Sequence, residues 1–197
     1  MAAVDRIRSF VAIDLAAPVL AAVGALQKKM AATQADVRWV RASGMHMTLK
    51  FLGSVDAARL DAVHAALAAV VSGHPVLHVR VRGVGAFPSF RRPRVLWVGL
   101  IAEGLVELAH AADAALAKLG FEPEKRAFTA HVTLGRVNSL RDWPRLETAM
   151  TQHLDDDFGA SDVDAVTIYR STLRRDGAVY TPLWTIPLSG NKERTTP

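Results

Sequence analysis

Two short segments of the chain share the tetrad His-x-Thr-Leu and contain the residues best suited to acid–base chemistry. The two copies are His46-Met47-Thr48-Leu49 and His131-Val132-Thr133-Leu134. On a β-strand, residues i and i+2 point to the same face, so each segment would place a histidine beside a threonine and turn its two apolar side chains away. Two such copies at matching positions of one chain are improbable by chance.

Paired imidazoles suit proton transfer at neutral pH, because histidine has an ordinary pKa of about 6.5. A neutral histidine removes a proton from water, and a cationic partner donates one to a departing oxygen. The hydroxyl groups of Thr48 and Thr133 can hydrogen-bond to the non-bridging oxygens of a phosphate. Arg136 would stabilise added negative charge, provided that the strand bends near Gly135. We therefore predict a phosphate-handling site with His46 and His131 as catalytic residues; the symmetry of the copies leaves open which is the acid.

The tetrads fall at equivalent positions of a repeated pattern of strands and helices. Strands are predicted over 7–14, 45–52, 76–82, 94–101, 130–137, 163–172 and 180–188, and helices begin at Pro18, after Asp56, at 104 and at Asp142. The pattern predicts an α+β fold made of a duplicated β-α-β-α-β unit, with pseudo-repeats over about 6–86 and 93–188 of a single domain, 1–188. Such units tend to pack as two lobes, with equivalent strands facing each other across a groove. A Gly/Pro-rich loop is expected from Gly83 to Pro93, a hairpin turn at Asp176-Gly177, and a flexible tail over 189–197.

Composition narrows the class of protein. The chain has 197 residues, of which 50% are apolar and 22% charged, as expected of one globular domain. It has no cysteine, which excludes disulfides, thiolate nucleophiles and iron–sulfur clusters. It lacks an apolar stretch long enough to span a bilayer and a signal-peptide layout, so a soluble cytoplasmic protein is the expectation.

The net charge of +5 indicates an anionic partner only weakly, although arginine suits phosphate well. The basic residues in or beside the strand-like segments are Arg6, Arg8, Arg38, Arg41, Lys50, Arg91, Arg92, Arg94, Arg136, Arg174 and Arg175. A zinc site is disfavoured because no third ligand stands at a recognisable spacing. The other histidines, which are expected to be structural, are His64, His74, His78, His110 and His153. Among the aromatic residues, Phe10 is the best candidate for stacking on a base.

These residues resemble the two-histidine (2H) phosphoesterase superfamily and, within it, the RNA 2′,3′-cyclic phosphodiesterases, also called the 2′–5′ RNA ligase family. The similarity covers most of residues 6–188. It rests on the segments RSFVAI (8–13), HMTLKFLG (46–53), GVGAFP (83–88), VLWVG (95–99) and HVTLGR (131–136). The chain departs from the family at Ala130, where proline is common, and at Gly44, where asparagine is common.

The resemblance implies a bilobal α+β fold with antiparallel sheets flanking a central cleft and helices on the outside. It implies metal-independent opening of a 2′,3′-cyclic phosphate to a 2′-phosphomonoester, with His46 as proton donor and His131 as proton acceptor. Thr48 and Thr133 would hold the phosphate, and Arg136 and Phe10 would contact the nucleotide. The expected partner is RNA or a nucleotide, and the protein is expected to be a monomer without a cofactor or metal. The resemblance also implies reversible 2′–5′ ligation of RNA.

Two other functions stay open from the sequence. One is a non-catalytic nucleotide- or RNA-binding module that uses the same cleft. The other is a phosphodiesterase for a different substrate with a 2′–5′ or cyclic phosphate linkage.

Overall fold

A computed structural model describes residues 5–174 and 177–188 of the chain. Within these residues the chain forms nine β-strands and four α-helices. The strands are β1 (Arg6–Ile13), β2 (Val37–Trp39), β3 (Met47–Asp56), β4 (Leu77–Phe87), β5 (Val95–Ile101), β6 (His131–Val137), β7 (Asp157–Val163), β8 (Ala165–Arg174) and β9 (Gly177–Pro187). The helices are α1 (Ala17–Ala31), α2 (Leu60–Val71), α3 (Leu105–Ala117) and α4 (Trp143–Thr151).

The strands form two antiparallel blocks that meet at the two motif strands. The first block has the order β3-β1-β8-β9, and the second has the order β7-β4-β5-β6 with β2 added on β6. The blocks are joined where Met47 of β3 pairs with Val132 of β6. This architecture confirms the α+β class with antiparallel sheets. The motif strands are neighbours, however, and do not face each other across a groove as the repeat suggested.

Each block is built from strands of both halves of the chain. β8 and β9, from the second half, complete the first block, and β4, from the first half, belongs to the second. α2 and α3 pack against the first block, and α1 and α4 against the second. One face of each helix is buried, as the spacing predicts for Val19, Val23, Leu26 and Met30 of α1. The helices therefore cover one face of the sheet, and the other face is left for a site.

Two strands, β2 and β7, are absent from the sequence prediction. β2 has only three residues, and β7 reads Asp-Phe-Gly-Ala-Ser-Asp-Val, which lacks a clear apolar alternation. β4 runs on to Phe87, so the loop predicted from Gly83 is wrong over its first half. Gly83 forms a bulge in β4 with a φ of 71°, which glycine tolerates and which keeps the strand paired.

Some helix positions also differ from the prediction. Leu146, Met150 and Leu154 have the spacing of one helix face, but α4 ends at Thr151 and Leu154 is 44% exposed. The spacing in α2 predicts a buried face of Leu60, Val63, Leu67 and Val70, but the buried residue at its end is Val71. Three features named in the sequence analysis lie outside the described residues. They are the basic residue Arg175, Asp176 of the predicted hairpin turn, and the tail over 189–197. Over the described ranges, no helix combines the length and the apolar character needed to cross a membrane.

Gly85→Ala is expected to destabilise the protein, because a Cβ at this position would lie 2.1 Å from Cζ2 of the Trp97 ring. Overpacking of this kind costs about 1–3 kcal/mol. Gly24→Ala in α1 is the matched control: nothing lies within 4 Å of the added Cβ, and removing a helical glycine stabilises by about 0.5–1 kcal/mol. Urea unfolding measures both changes. A Gly85→Ala protein as stable as the parent would contradict the packing of Trp97 over β4.

Candidate active site

The two histidine–threonine pairs lie on the same face of the sheet, where β3 and β6 meet. Met47 and Val132 pair at this point and are fully buried on the helix side. Following the antiparallel register by one residue in each direction places His46 across from Thr133 and Thr48 across from His131. All four polar residues are half-buried. Each histidine therefore faces the threonine of the other motif.

Both motif strands carry a bulge at the leucine of the tetrad. Along β1 and β3, Ala12 pairs with Thr48 and Val11 with Lys50, so Leu49 is the extra residue. Along β5 and β6, Trp97 pairs with Thr133 and Leu96 with Gly135, so Leu134 is the extra residue. A bulge reverses the alternation of side chains beyond it.

The reversal decides which residues after each tetrad reach the site. Arg136 pairs with Val95, two residues from Trp97, and so shares the face of Thr133. The bend that the sequence required for Arg136 is therefore the bulge at Leu134. The equivalent residue on the first motif strand is Phe51, which pairs with Phe10 and is 65% exposed.

The bulge at Leu49 turns Lys50 away from the site. Its side chain is 9% exposed, and Nζ forms an ion pair with Asp113 of α3 and donates to the carbonyl oxygen of Glu122 at 2.5 Å. Lys50 therefore ties β3 to α3 and to the loop after it. It does not add to the positive charge at the site, although it stands in a motif strand.

Aromatic rings surround His46. Phe10 stacks on the imidazole with ring centroids 4.7 Å apart, and Tyr180 meets it edge-on at 5.0 Å. Tyr169 lies near both rings, with its centroid 5.2 Å from that of Phe10 and 5.7 Å from that of His46. Phe10 is only 3% exposed, so what the structure shows for this residue is support of His46; its contact with a nucleotide stays a prediction.

Asp14 stands across from His46, one step beyond the Ile13–Met47 pair in the register of β1 and β3. Burial lowers the pKa of His46 below its ordinary value, and the negative charge of Asp14 opposes this shift. Tyr169 donates from its hydroxyl to Asp14 Oδ2 at 2.7 Å. Burial and this contact raise the pKa of Tyr169, so its hydroxyl stays protonated and holds the carboxylate in place.

His131 lies in different surroundings. Its Nδ1 is 2.7 Å from the carbonyl oxygen of Thr129, so Nδ1–H donates and Nε2 carries the lone pair of the neutral ring. Burial lowers the pKa of His131; the hydrogen bond to Thr129 raises it, and the positive charge of Arg136 lowers it again. Phe87 meets the ring edge-on at 4.9 Å. The geometry favours a neutral imidazole with a free Nε2.

The groups that could hold an anion lie beside the histidines. Arg136 is exposed and pairs across the strands with Arg38 of β2. Within the described ranges neither guanidinium forms an ion pair, and the hydroxyls of Thr48 and Thr133 have no protein partner. Two hydroxyls and two guanidinium groups on one face suit the oxygens of a phosphate.

The structure adds two residues that the sequence analysis missed, Asp14 and Tyr169, and it gives positions beside the histidines to Arg38, Phe87 and Tyr180, which the sequence offers only as one basic and two aromatic residues among several. Asp14 could have been found, because it follows Phe10 and Ala12 at alternate positions of one strand. The others come from strands distant in sequence. The remaining histidines that the structure pairs lie elsewhere: His64 stacks on Trp184, and His78 and His153 contact Asp162 and Asp156.

Comparison with known proteins gives the family. Residues 13–97 and 98–180 each match the family described as LigT like phosphoesterase. The RNA 2′,3′-cyclic phosphodiesterase of Methanothermobacter thermautotrophicus is 30% identical over 179 residues, which are 90% of this chain and 97% of that protein.

Solved structures of the same kind are similar over almost the whole chain. TT0787 of Thermus thermophilus has a TM-score of 0.80 and 27% identity, and covers 93% of this chain and 99% of its own. E. coli LigT complexed with 3′-AMP has a TM-score of 0.75 and 25% identity, over 94% of this chain and 99% of its own. The resemblance inferred from the paired tetrads is confirmed, and the chain belongs to the LigT-like phosphoesterase family.

Proposed function

We propose that the protein hydrolyses the 2′,3′-cyclic phosphodiester of an RNA end or nucleotide and leaves a 2′-phosphomonoester. The observation that carries this proposal is a pair of histidines on one face in opposite electrostatic surroundings: Asp14 is beside His46, and Arg136 is beside His131. Such a difference is typical of an acid and a base that act together. The named relatives and the complex of E. coli LigT with 3′-AMP support the substrate class.

His131 acts as the base in this proposal. The carbonyl oxygen of Thr129 holds its Nδ1–H, so Nε2 is free to take a proton from water. Burial and the charge of Arg136 keep the ring neutral before the reaction. As the water proton moves to Nε2, the water oxygen forms a bond to phosphorus opposite the 3′-oxygen.

His46 acts as the acid. The bond between phosphorus and the 3′-oxygen breaks, and the imidazolium of His46 gives its proton to that oxygen. Asp14 stabilises the protonated ring, and Tyr169 holds Asp14. The stacked ring of Phe10 fixes the plane of the imidazole, so that the proton is delivered in one direction.

Thr48, Thr133 and Arg136 hold the non-bridging oxygens of the phosphate, whose negative charge increases in the transition state. Arg38, the cross-strand partner of Arg136, adds a second positive charge at this edge. A 5′-hydroxyl in place of water would give a 2′–5′ linkage by the same proton transfers. The monomeric state, the cytoplasmic location and the pseudo-repeat boundaries stay predictions.

His46→Ala and His131→Ala are each expected to lower kcat on a 2′,3′-cyclic nucleotide by about 10²–10⁴-fold, because each removes one proton transfer. His64→Ala, on α2, is the control and should keep parental activity.

Since all protons and charges are assigned to side chains, EDTA should leave the parental rate unchanged. The product, identified by chromatography, should be the 2′-phosphate. A folded His46→Ala or His131→Ala protein with the parental rate would contradict the proposal. A parent that binds the cyclic nucleotide without turnover would favour a binding module.

The two roles can be separated with a substrate in which sulfur replaces the 3′-oxygen. A thiolate leaves without a proton, so the loss caused by His46→Ala should shrink strongly on this substrate. The loss caused by His131→Ala should persist, because water must still be deprotonated. The ratio of kcat for the two substrates measures the effect. Rescue of His131→Ala instead of His46→Ala would reverse the assignment.

The pH dependence follows from the two lowered pKa values. The active form has His46 protonated and His131 neutral, so kcat/KM falls above the first pKa and below the second. The maximum lies midway between them, below about pH 6.5.

Asp14→Asn should lower the pKa of His46 further and reduce kcat/KM on the alkaline side, with the acidic side unchanged. The asparagine keeps an acceptor for Tyr169. Asp61→Asn, on the surface of α2, removes the same charge far from the site and serves as the control. An alkaline limb that does not respond to Asp14→Asn would show that this carboxylate does not support the acid.

A further inference from the structure

The face that carries His46 continues along β1 beyond the aromatic rings. Arg6, Arg8, Phe10 and Ala12 occupy alternate positions of this strand, and the residues between them are buried on the helix side. Successive members of such a row are about 6.5–7 Å apart. Arg8 therefore stands one step beyond Phe10 on the active-site face, and Arg6 stands two steps beyond it.

Phe51 of β3 lies beside this row, across from Phe10. It pairs with Phe10 across the strands, with ring centroids 6.2 Å apart, and is 65% exposed. The bulge in β3 places it on the active-site face. A large aromatic ring left in water next to cationic side chains is the combination that binds single-stranded nucleic acid, because bases stack on the ring and phosphates pair with the cations.

Arg6 and Arg8 line a groove of about 320 Å³. The other residues that line it are Asp5, Ile7, Arg170, Ser171, Thr172 and Leu173. Arg6 donates to the carbonyl oxygen of Ser54 at 2.9 Å, which fixes the direction of its guanidinium. In the part of the chain that the structure describes, Arg8 and Arg170 have no ion-pair partner. Three guanidinium groups against one carboxylate give the groove a positive charge.

A second pocket lies beside Tyr169. Its volume is about 300 Å³, and Asp14 and Asp164 are among its lining residues. Two carboxylates make this pocket unfavourable for a chain of phosphates. Of these two grooves, the one with Arg6 and Arg8 has the charge that attracts a polyanion.

We propose that Phe51, Arg8 and Arg6 form an RNA-extension surface that binds the strand on the 5′ side of the cyclic phosphate. The proposal rests on the function proposed above. Because the cyclic phosphate closes the 3′ end of its strand, the rest of an RNA can leave the site only in the 5′ direction. The base of a preceding nucleotide stacks on Phe51, and its backbone phosphates pair with Arg8 and then Arg6. The preferred substrate is then an oligoribonucleotide rather than a mononucleotide.

The test compares a 2′,3′-cyclic mononucleotide with a short oligoribonucleotide that ends in a 2′,3′-cyclic phosphate. The parent should have a higher kcat/KM on the oligonucleotide, and its logarithm should fall with the logarithm of salt concentration. Arg8→Gln should lower kcat/KM on the oligonucleotide about tenfold and reduce the salt slope by about 0.7, the value for one phosphate contact of a single strand. Phe51→Ser should lower it about fivefold or more through lost stacking. Both variants should stay within about twofold of the parent on the mononucleotide, which does not reach this surface.

Two controls match these variants. Arg145→Gln on α4 removes one exposed positive charge, and Leu140→Ser removes an apolar side chain that is 58% exposed. Both should behave as the parent does on both substrates. If Arg145→Gln reduces the salt slope as much as Arg8→Gln, the attraction comes from net charge and the extension surface is refuted.

Two other outcomes also test the RNA-extension surface. Equal losses on both substrates would overturn the inference, because Arg8 and Phe51 would then serve the active site or the fold. A parent that hydrolyses neither substrate would refute the proposed function and not the surface. In that case the affinity for an oligoribonucleotide ending in a 2′-phosphate, measured by fluorescence anisotropy, decides: weaker binding by Arg8→Gln than by Arg145→Gln supports the surface, and equal binding overturns it.

Discussion

The active site depends on the single antiparallel contact between Met47 and Val132, where the two blocks of the sheet meet. Both side chains are fully buried, so the hydrophobic effect decides which face of each motif strand points to the helices. The alternation of side chains then forces the neighbouring histidines and threonines onto the open face. A slip of one residue would bury polar groups and expose apolar ones, so the packing that stabilises the fold also protects the register of the site.

Because of the bulges at Leu49 and Leu134, each motif strand directs its side chains differently before and after the leucine. Up to the threonine, the strand presents polar groups to the site. After the leucine, the alternation is reversed, so that Lys50 reaches the core and Phe51 and Arg136 reach the open face. The ion pair of Lys50 with Asp113 then fastens β3 to α3. Strands that are fixed in this way hold the site residues in place, as the proposed binding of a phosphate requires.

The sequence predicted what is local and could not predict what depends on distant strands. The two tetrads, their polar faces and the buried positions of α1 follow from spacing alone. The pairing of β3 with β6 is not local, because it unites residues far apart in the chain, and β2 and β7 exist only as partners of other strands. The register of the strands settles two further points. It places Asp14 across from His46. It also makes Ala12 the counterpart of Trp97, because each pairs with the threonine of its motif strand.

The near-symmetry of the scaffold explains why the differences between the two motifs matter. Asp14 stands across from His46, whereas the equivalent position across from His131 is Gly99. Phe51 on the first strand corresponds to Arg136 on the second. Two histidines in identical surroundings would have the same protonation state, whereas the mechanism proposed above needs one to give a proton while the other takes one. The carboxylate beside His46 and the guanidinium beside His131 make the two surroundings different without moving either backbone. In the proposed mechanism, an acid and a base therefore arise from a repeated unit because a few equivalent positions carry different residues.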